Sequence, residues 1–136
     1  MHDALSAFRR VLRPGGVLFV QLLNYGRILR ARERIQGVRD EGGTTFIRFY
    51  DFEGERIRFN VLQVTRGEGE VRHQLEGVTL RPWGREELGQ QLRRSGFSAI
   101  QAFGGMTMEP FSHGTSRDLV LVAAAGPATD LEKEER

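Results

Sequence analysis

Several polar side chains in this sequence could bind a small molecule or move a proton, and the first two follow an apolar run. Asn24 and Tyr25 directly follow the apolar run Val17–Leu23. If that run is a strand of an open α/β sheet, both residues lie at its carboxyl end, where such sheets place ligands. We therefore predict that Asn24 and Tyr25 bind substrate. The alternative is that Asn24 caps the following helix while Tyr25 packs on it.

A second group of functional side chains lies close together in the middle of the chain. Arg48, Tyr50 and Asp51 offer a guanidinium, a phenol and a carboxylate within four positions. This combination suits a polar or anionic substrate, so Arg48 and Tyr50 join the predicted substrate-binding residues. Ordinary pairing across neighbouring strands is the alternative, and it explains the same residues better than a substrate site does.

The sequence offers side chains for proton transfer but not the ligands of a metal site. Tyr25, Tyr50 and His73 are candidates for a base, and the sequence does not choose among them. His113 and Ser116 share a glycine-containing loop, but no acidic partner can be identified, which argues against a hydrolytic triad. With no cysteine and three scattered histidines, we expect no metal site.

Composition limits the possible classes of protein. The 136 residues, 39% of them hydrophobic, suffice for one domain, expected at residues 1–125 and followed by a disordered tail at 126–136. The net charge of +2 does not favour a nucleic-acid partner. No apolar run reaches the roughly 20 residues of a membrane span, so we expect a cytoplasmic protein without a membrane partner. One local basic segment could meet an acidic partner or form a solvated helix face: Arg27, Arg30, Arg32 and Arg34.

Residues 1–43 are predicted to form a helix, a strand and a second helix. An amphipathic helix over residues 4–12 places Arg9 and Arg10 on its polar side, and Pro14 ends it. The run Val17–Leu23 is apolar at nearly every position, which predicts a parallel strand buried on both faces. A second, arginine-rich helix is expected to end before Gly42-Gly43; its apolar positions are Tyr25, Ile28, Leu29, Ile35 and Val38.

The rest of the chain separates into an insert and a final segment. Residues 44–83 alternate between apolar and polar positions and predict three antiparallel strands in a meander. Residues 84–125 predict a helix with an apolar seam at Leu88 and Leu92, followed by two strands. Gly96 suits the left-handed position that ends a helix.

The motifs that link these elements resemble the C-terminal half of a class I S-adenosylmethionine-dependent methyltransferase. They are Leu12-Arg13-Pro14-Gly15-Gly16 before the first strand and Ser95-Gly96-Phe97 after the last helix, and the resemblance spans about residues 3–125. It implies an α/β fold: the C-terminal lobe of a doubly wound, Rossmann-like sheet carrying an inserted antiparallel meander that covers a small-molecule substrate. The final strands are expected to form an antiparallel addition to the sheet.

The resemblance also implies what this chain lacks. Family members bind S-adenosylmethionine with a glycine-rich loop after their first strand and an acidic residue after their second, and neither is recognisable here. We therefore expect an incomplete methyltransferase that binds no cofactor and is inactive as an isolated chain. The open edge of the first strand should then be covered by another copy in a homodimer or a higher assembly. The alternative is a non-enzymatic α+β module that binds a ligand or another protein.

Overall fold

The structure is a computed structural model that describes residues 1–126, and only the backbone of His2. Except for Gly126, the tail predicted to be disordered lies outside the described residues. The elements in chain order are α1 (His2–Val11), β1 (Val17–Leu23), α2 (Tyr25–Ala31), β2 (Ile35–Glu41), β3 (Thr44–Glu53), β4 (Arg56–Arg66), β5 (Val71–Leu80), α3 (Arg85–Arg94), β6 (Phe97–Phe103) and β7 (Asp118–Ala125).

Contacts divide the chain into two compact units. The first consists of Met1–Arg27 with the chain from Trp83 onward, and the second is Ile28–Pro82. The mixed α/β fold with an inserted antiparallel sheet confirms the predicted fold class. The single domain expected at residues 1–125 stays a prediction.

The first unit contains a three-stranded sheet in the order β1-β7-β6. The central strand β7 is antiparallel to both neighbours, so β1 and β6 run in the same direction. This arrangement confirms the expected antiparallel addition to the sheet. Helix α3 packs against β6, β7 and α1, and the core between them is built from Leu5, Leu88, Leu92, Phe97, Leu119, Leu121, Ala123 and Ala125.

Two turns with positive φ lie at the same end of this sheet, one before β1 and one before β6. Gly96 has a φ of 95° and ends α3, and Phe97 directly after it is buried in the core. Gly15 has a φ of 83° in the turn that leads into β1. Both positions lie in the left-handed region that glycine adopts without steric cost.

Strand β1 differs from its prediction. Its residues alternate between half-buried and exposed, and the exposed set includes Val17, Phe19 and Leu23. Within residues 1–126 it pairs only with β7, and that pairing is antiparallel. An apolar run is buried on both faces only where a second layer covers it, and here one face of the strand lies open.

Helix α1 also turns a different side to the core than expected. Arg9 is buried, whereas Phe8 and Val11 are exposed. The Arg9 guanidinium donates hydrogen bonds to the carbonyl oxygens of Leu12 and Gly126, which explains how a charged group is accommodated there. The expected polar position of Arg9 is therefore wrong.

The second unit is a four-stranded antiparallel sheet in the order β2-β3-β4-β5. The meander predicted over residues 44–80 is confirmed, but residues 35–41 add a fourth strand where a helix was expected. The reason is the turn: Gly42 and Gly43 have φ values of 53° and 87°, which a two-residue hairpin requires at both positions. That hairpin pairs β2 with β3 and ends the arginine-rich helix at Ala31.

Candidate functional site

Asn24 lies at the carboxyl end of β1 and is 4% exposed. Its Nδ2 donates hydrogen bonds to the carbonyl oxygens of His113, at 3.0 Å, and Ser116, at 2.8 Å. Its Oδ1 accepts a 3.4 Å bond from the Arg27 amide, and its own amide donates to the Arg117 carbonyl at 3.0 Å. Asn24 therefore caps α2 and also fastens the loop of residues 112–117 to the end of the strand.

Tyr25 is the first residue of α2 and is half-buried. Burial raises the pKa of its phenol above the ordinary value of 10.0, because the phenolate loses hydration there. The tyrosine is accordingly a neutral hydroxyl across the physiological range. It can donate a hydrogen bond to a polar ligand at this edge of the sheet.

The raised pKa of Tyr25 predicts a measurable titration. The chain has two tyrosines, so in a Tyr50→Phe variant the absorbance of phenolate reports Tyr25 alone. We expect its midpoint above 10.0 in the folded protein and near 10.0 in denaturant. Because the pKa of Tyr25 is raised in the folded protein, its neutral phenol stabilises the folded state fully below pH 10. This stabilisation is lost as the pH rises through the folded-state pKa. Equal midpoints in both states would contradict the burial of this ring.

His113 reaches the same edge through a close approach to Gly26. A Cβ atom on Gly26 would lie 3.0 Å from Cε1 and 3.1 Å from Nε2 of the imidazole, so a larger residue would require the ring to shift by a few tenths of an ångström. The histidine also lines a cleft of about 600 Å³, together with Gly84, Arg85, Glu86, Glu87 and Phe111. The sequence did not reveal this proximity, because Gly26 and His113 are 87 positions apart in the chain.

Ser116 has a structural part in the same loop. Its Oγ accepts a 2.8 Å hydrogen bond from the Ser112 amide, and its own amide donates to the Ser112 carbonyl. These bonds hold the loop in shape. The described contacts therefore give Ser116 a structural role within the loop of residues 112–117.

Strand alternation separates the side chains grouped around position 50. Tyr50 is buried and contacts the rings of Phe52 and Phe59, with centroids 6.0 and 5.8 Å away. Arg48 shares its face of β3 but is exposed. Asp51 points to the opposite face, because successive residues of a strand alternate. The structure therefore does not bring the three groups together around one ligand.

Asp51 belongs instead to a polar network within the meander. One carboxylate oxygen pairs with the Arg34 guanidinium, and the other accepts a 3.0 Å bond from Nδ2 of the buried Asn60. Gly77 on β5 makes room for this network, since a Cβ there would lie 2.5 Å from Asn60 Oδ1 and 2.9 Å from Arg58 Nε. A small pocket of about 150 Å³ adjoins it.

The arginines around residue 30 are not one solvated helix face. Arg32 donates to the Gly54 carbonyl at 3.1 Å and lies over the Phe52 ring, and Arg34 lies over Phe49. Both residues come after the end of α2, which is why they engage the meander. His73, the remaining candidate base, is exposed on β5 opposite Val64.

The described residues offer no recognisable cofactor or metal site. Gly15 and Gly16 precede β1, and their backbone groups are bonded to Ala125: the Gly15 amide donates at 2.9 Å and the Gly16 carbonyl accepts at 2.7 Å. They therefore do not form a ligand-binding loop of the kind that follows a parallel strand. Over residues 1–126 no three acidic or histidine side chains gather as a metal site would require. No helix in that range is long and apolar enough to span a membrane.

Solved structures show what this fold is similar to. A methyltransferase from Clostridium acetobutylicum that depends on S-adenosylmethionine superimposes with a TM-score of 0.73 at 12% identity, over 93% of this chain and 51% of its own. The CcbJ methyltransferase from Streptomyces caelestis gives 0.71 at 20% identity, over 92% and 52%. The amino pentose methyltransferase CalS10 from Micromonospora echinaspora, solved with S-adenosylmethionine bound, gives 0.58 at 17%, over 90% and 49%.

The coverage of these matches is as informative as their scores. The chain spans about half the length of each solved methyltransferase, although nine tenths of the chain take part. It therefore has the fold of part of an S-adenosylmethionine-dependent methyltransferase, consistent with the C-terminal half that the sequence motifs predicted. No protein-family model and no curated protein matches the sequence.

Proposed function

We propose that this chain is the C-terminal, substrate-side portion of an S-adenosylmethionine-dependent methyltransferase acting on a small molecule. The observation that carries the proposal is the strand order β1-β7-β6, with a reversed strand between two strands of common direction. Solved methyltransferases share this part of the fold with the chain. The cytoplasmic location expected from the sequence stays a prediction.

The described residues form no recognisable site for S-adenosylmethionine. We therefore propose that a separate cofactor-binding half supplies that site. Its docking place is the free edge of β1, where Val17, Phe19 and Leu23 are exposed. A parallel strand added there would satisfy the unpaired backbone groups, and a helix of the same half packed on the exposed face would cover these side chains. We accordingly propose that the isolated chain is inactive and that the reassembled halves bind the cofactor.

The proposed acceptor edge is the carboxyl end of β1. When bound, S-adenosylmethionine supplies a methyl group activated by a sulfonium, so the protein has mainly to position the acceptor atom. Tyr25 offers its neutral hydroxyl to the acceptor, and Asn24 is a positioning residue because its amide already holds the loop around His113. Arg48 stays a candidate for binding a polar group of the substrate.

Tyr50 stays on the list of proposed substrate-binding residues, although its ring is packed among aromatic neighbours. Unchanged turnover and substrate binding after Tyr50→Phe in the complete enzyme would remove it. Because the substitution keeps the ring and deletes only the hydroxyl, a change would be due to that hydroxyl.

Calorimetry with S-adenosylmethionine tests the proposal. We expect no binding heat for the chain alone and binding at micromolar concentration for the chain joined to a cofactor-binding half. The cofactor-binding half by itself is the control, and it should bind more weakly than the joined protein. Micromolar binding by the isolated chain would contradict the proposal. If the joined protein binds no better than the control, the alternative of a non-enzymatic module is favoured.

A further inference from the structure

Both faces of the four-stranded meander carry apolar side chains, but one face carries an apolar row that includes both edge strands. We call it the open face: it holds the odd-numbered residues of β3 and β5 and the even-numbered residues of β4, with their partners on β2. Register pairing aligns one apolar side chain from each strand across this face: Val38, Ile47, Leu62 and Leu75. The row therefore crosses the whole sheet from one edge to the other.

The ends of this row are exposed to an unusual degree. Val38 is 62% and Leu75 is 58% exposed, and Ile35 and Val71 on the same face are 61% and 69% exposed. A single exposed apolar side chain on a protein surface needs no explanation, but a contiguous group marks an interaction site. Both edge strands of the sheet contribute, so the exposed group is not confined to one frayed end.

Charges around the row indicate what kind of partner fits. The four strands place three carboxylates and three guanidiniums on the open face: Asp40, Asp51, Glu53, Arg56, Arg58 and Arg66. Several are already compensated, since Asp51 pairs with Arg34, and Thr45 links Asp40 to Arg66. With Arg34 included, the face carries four guanidiniums and three carboxylates. Such a nearly balanced surface gives little attraction to nucleic acid or an anionic membrane, and it lets a second copy approach without strong repulsion.

The dimensions of the face suit a pair of identical sheets. Four strands at a spacing of about 4.8 Å, each about ten residues long with a rise of about 3.3 Å, offer roughly 600 Å². Two copies face to face would bury about 1,200 Å² in total, which is the lower limit of a standard stable interface. A two-fold axis would set one apolar row against the other, as in face-to-face sheet packing.

We infer that the open face is the interface of a homodimer of this chain. The sequence predicts that copies of the chain associate through the edge of β1. The open face is a second surface for association, and its use leaves the edge of β1 free for the cofactor-binding half. The inference does not depend on the methyltransferase proposal, since the meander carries the row whether or not a cofactor is bound.

Sedimentation velocity on the purified chain tests this inference. The chain is measured at concentrations from about 1 to about 100 µM, which bracket the dissociation constant of a weak dimer. We expect a dimer for the unmodified chain. Leu75→Glu and Val38→Glu each place two carboxylates in the interface of a two-fold dimer, and we expect each to weaken association at least about 100-fold. Both side chains are exposed, so circular dichroism should be unchanged.

A matched control lies on the same strand. Val78 is 54% exposed on β5 but belongs to the opposite face, and Val78→Glu should leave the dimer intact. Phe19→Glu tests the edge of β1 in the same way. The inference is overturned if the unmodified chain is monomeric throughout, if Val78→Glu dissociates the dimer as strongly as Leu75→Glu, or if only Phe19→Glu dissociates it. Calorimetry with S-adenosylmethionine is a separate readout, so failure of one proposal does not imply failure of the other.

Discussion

Replacing Leu92 with alanine should lower the free energy of unfolding by about 3 kcal/mol. Leu92 is fully buried on α3, in the core that joins this helix to the sheet of the first unit. Truncation removes apolar contacts and leaves a cavity that the β7 side chains can fill only in part. For a chain of this length the loss corresponds to a fall of about 10 °C in the melting temperature.

Gln90→Ala is the matched control for that substitution. Gln90 is exposed on the same helix, and alanine has a high helix propensity, so stability should change by less than about 0.5 kcal/mol. Urea unfolding followed by circular dichroism measures both variants. If the two variants have the same stability, the packing of α3 on the sheet is not the source of stability that the structure indicates.

Replacing Asn24 with alanine should cost about 2 kcal/mol, because it leaves buried carbonyl oxygens without a donor. The carbonyls of His113 and Ser116 both accept from its side chain, and the Arg27 amide loses its cap. We also expect faster amide hydrogen exchange at Thr115 and Ser116, since the loop is no longer fastened to β1. Mass spectrometry of exchange measures this effect separately from global stability.

Asn24→Asp separates the two parts that Asn24 plays. Aspartate caps a helix as well as asparagine does, but it offers no donor to the loop carbonyls and brings negative charge towards them. We therefore expect Asn24→Asp to destabilise at least as much as Asn24→Ala. Wild-type stability and exchange in Asn24→Asp would mean that the helix cap alone explains the residue and that the loop is held by other contacts.

Local chemistry made much of this fold predictable. Pro14 ends α1, and Gly15 and Gly96 adopt the positive φ values that their turns require. The alternation of apolar and polar residues in β4 predicts a half-buried strand. All three effects depend on residues within a few positions of one another. The same short-range signals carried the resemblance to a methyltransferase half, which the solved structures bear out at the level of fold. Helix and strand periodicity needs no knowledge of distant neighbours, so a sequence suffices.

Predictions that depended on a partner elsewhere in the chain were less successful. Residues 35–41 contain apolar positions that suit a helix, and the hairpin at Gly42-Gly43 turned them into β2 by providing β3 as a partner. Arg9 was expected on a polar face, and carbonyl oxygens at Leu12 and Gly126 allow it to be buried. In both cases the tertiary environment outweighs a weak local preference.

The sequence by itself determined the kinds of element, their order and the two candidate positions after β1. Only the tertiary structure decided which side chains meet: Asn24 holds the loop that carries His113, whereas Asp51 is turned away from Arg48 and Tyr50 towards Arg34. The physical reason is that side-chain encounters across 89 positions of chain depend on how strands pair and which face they bury. No pattern within a few residues encodes that pairing.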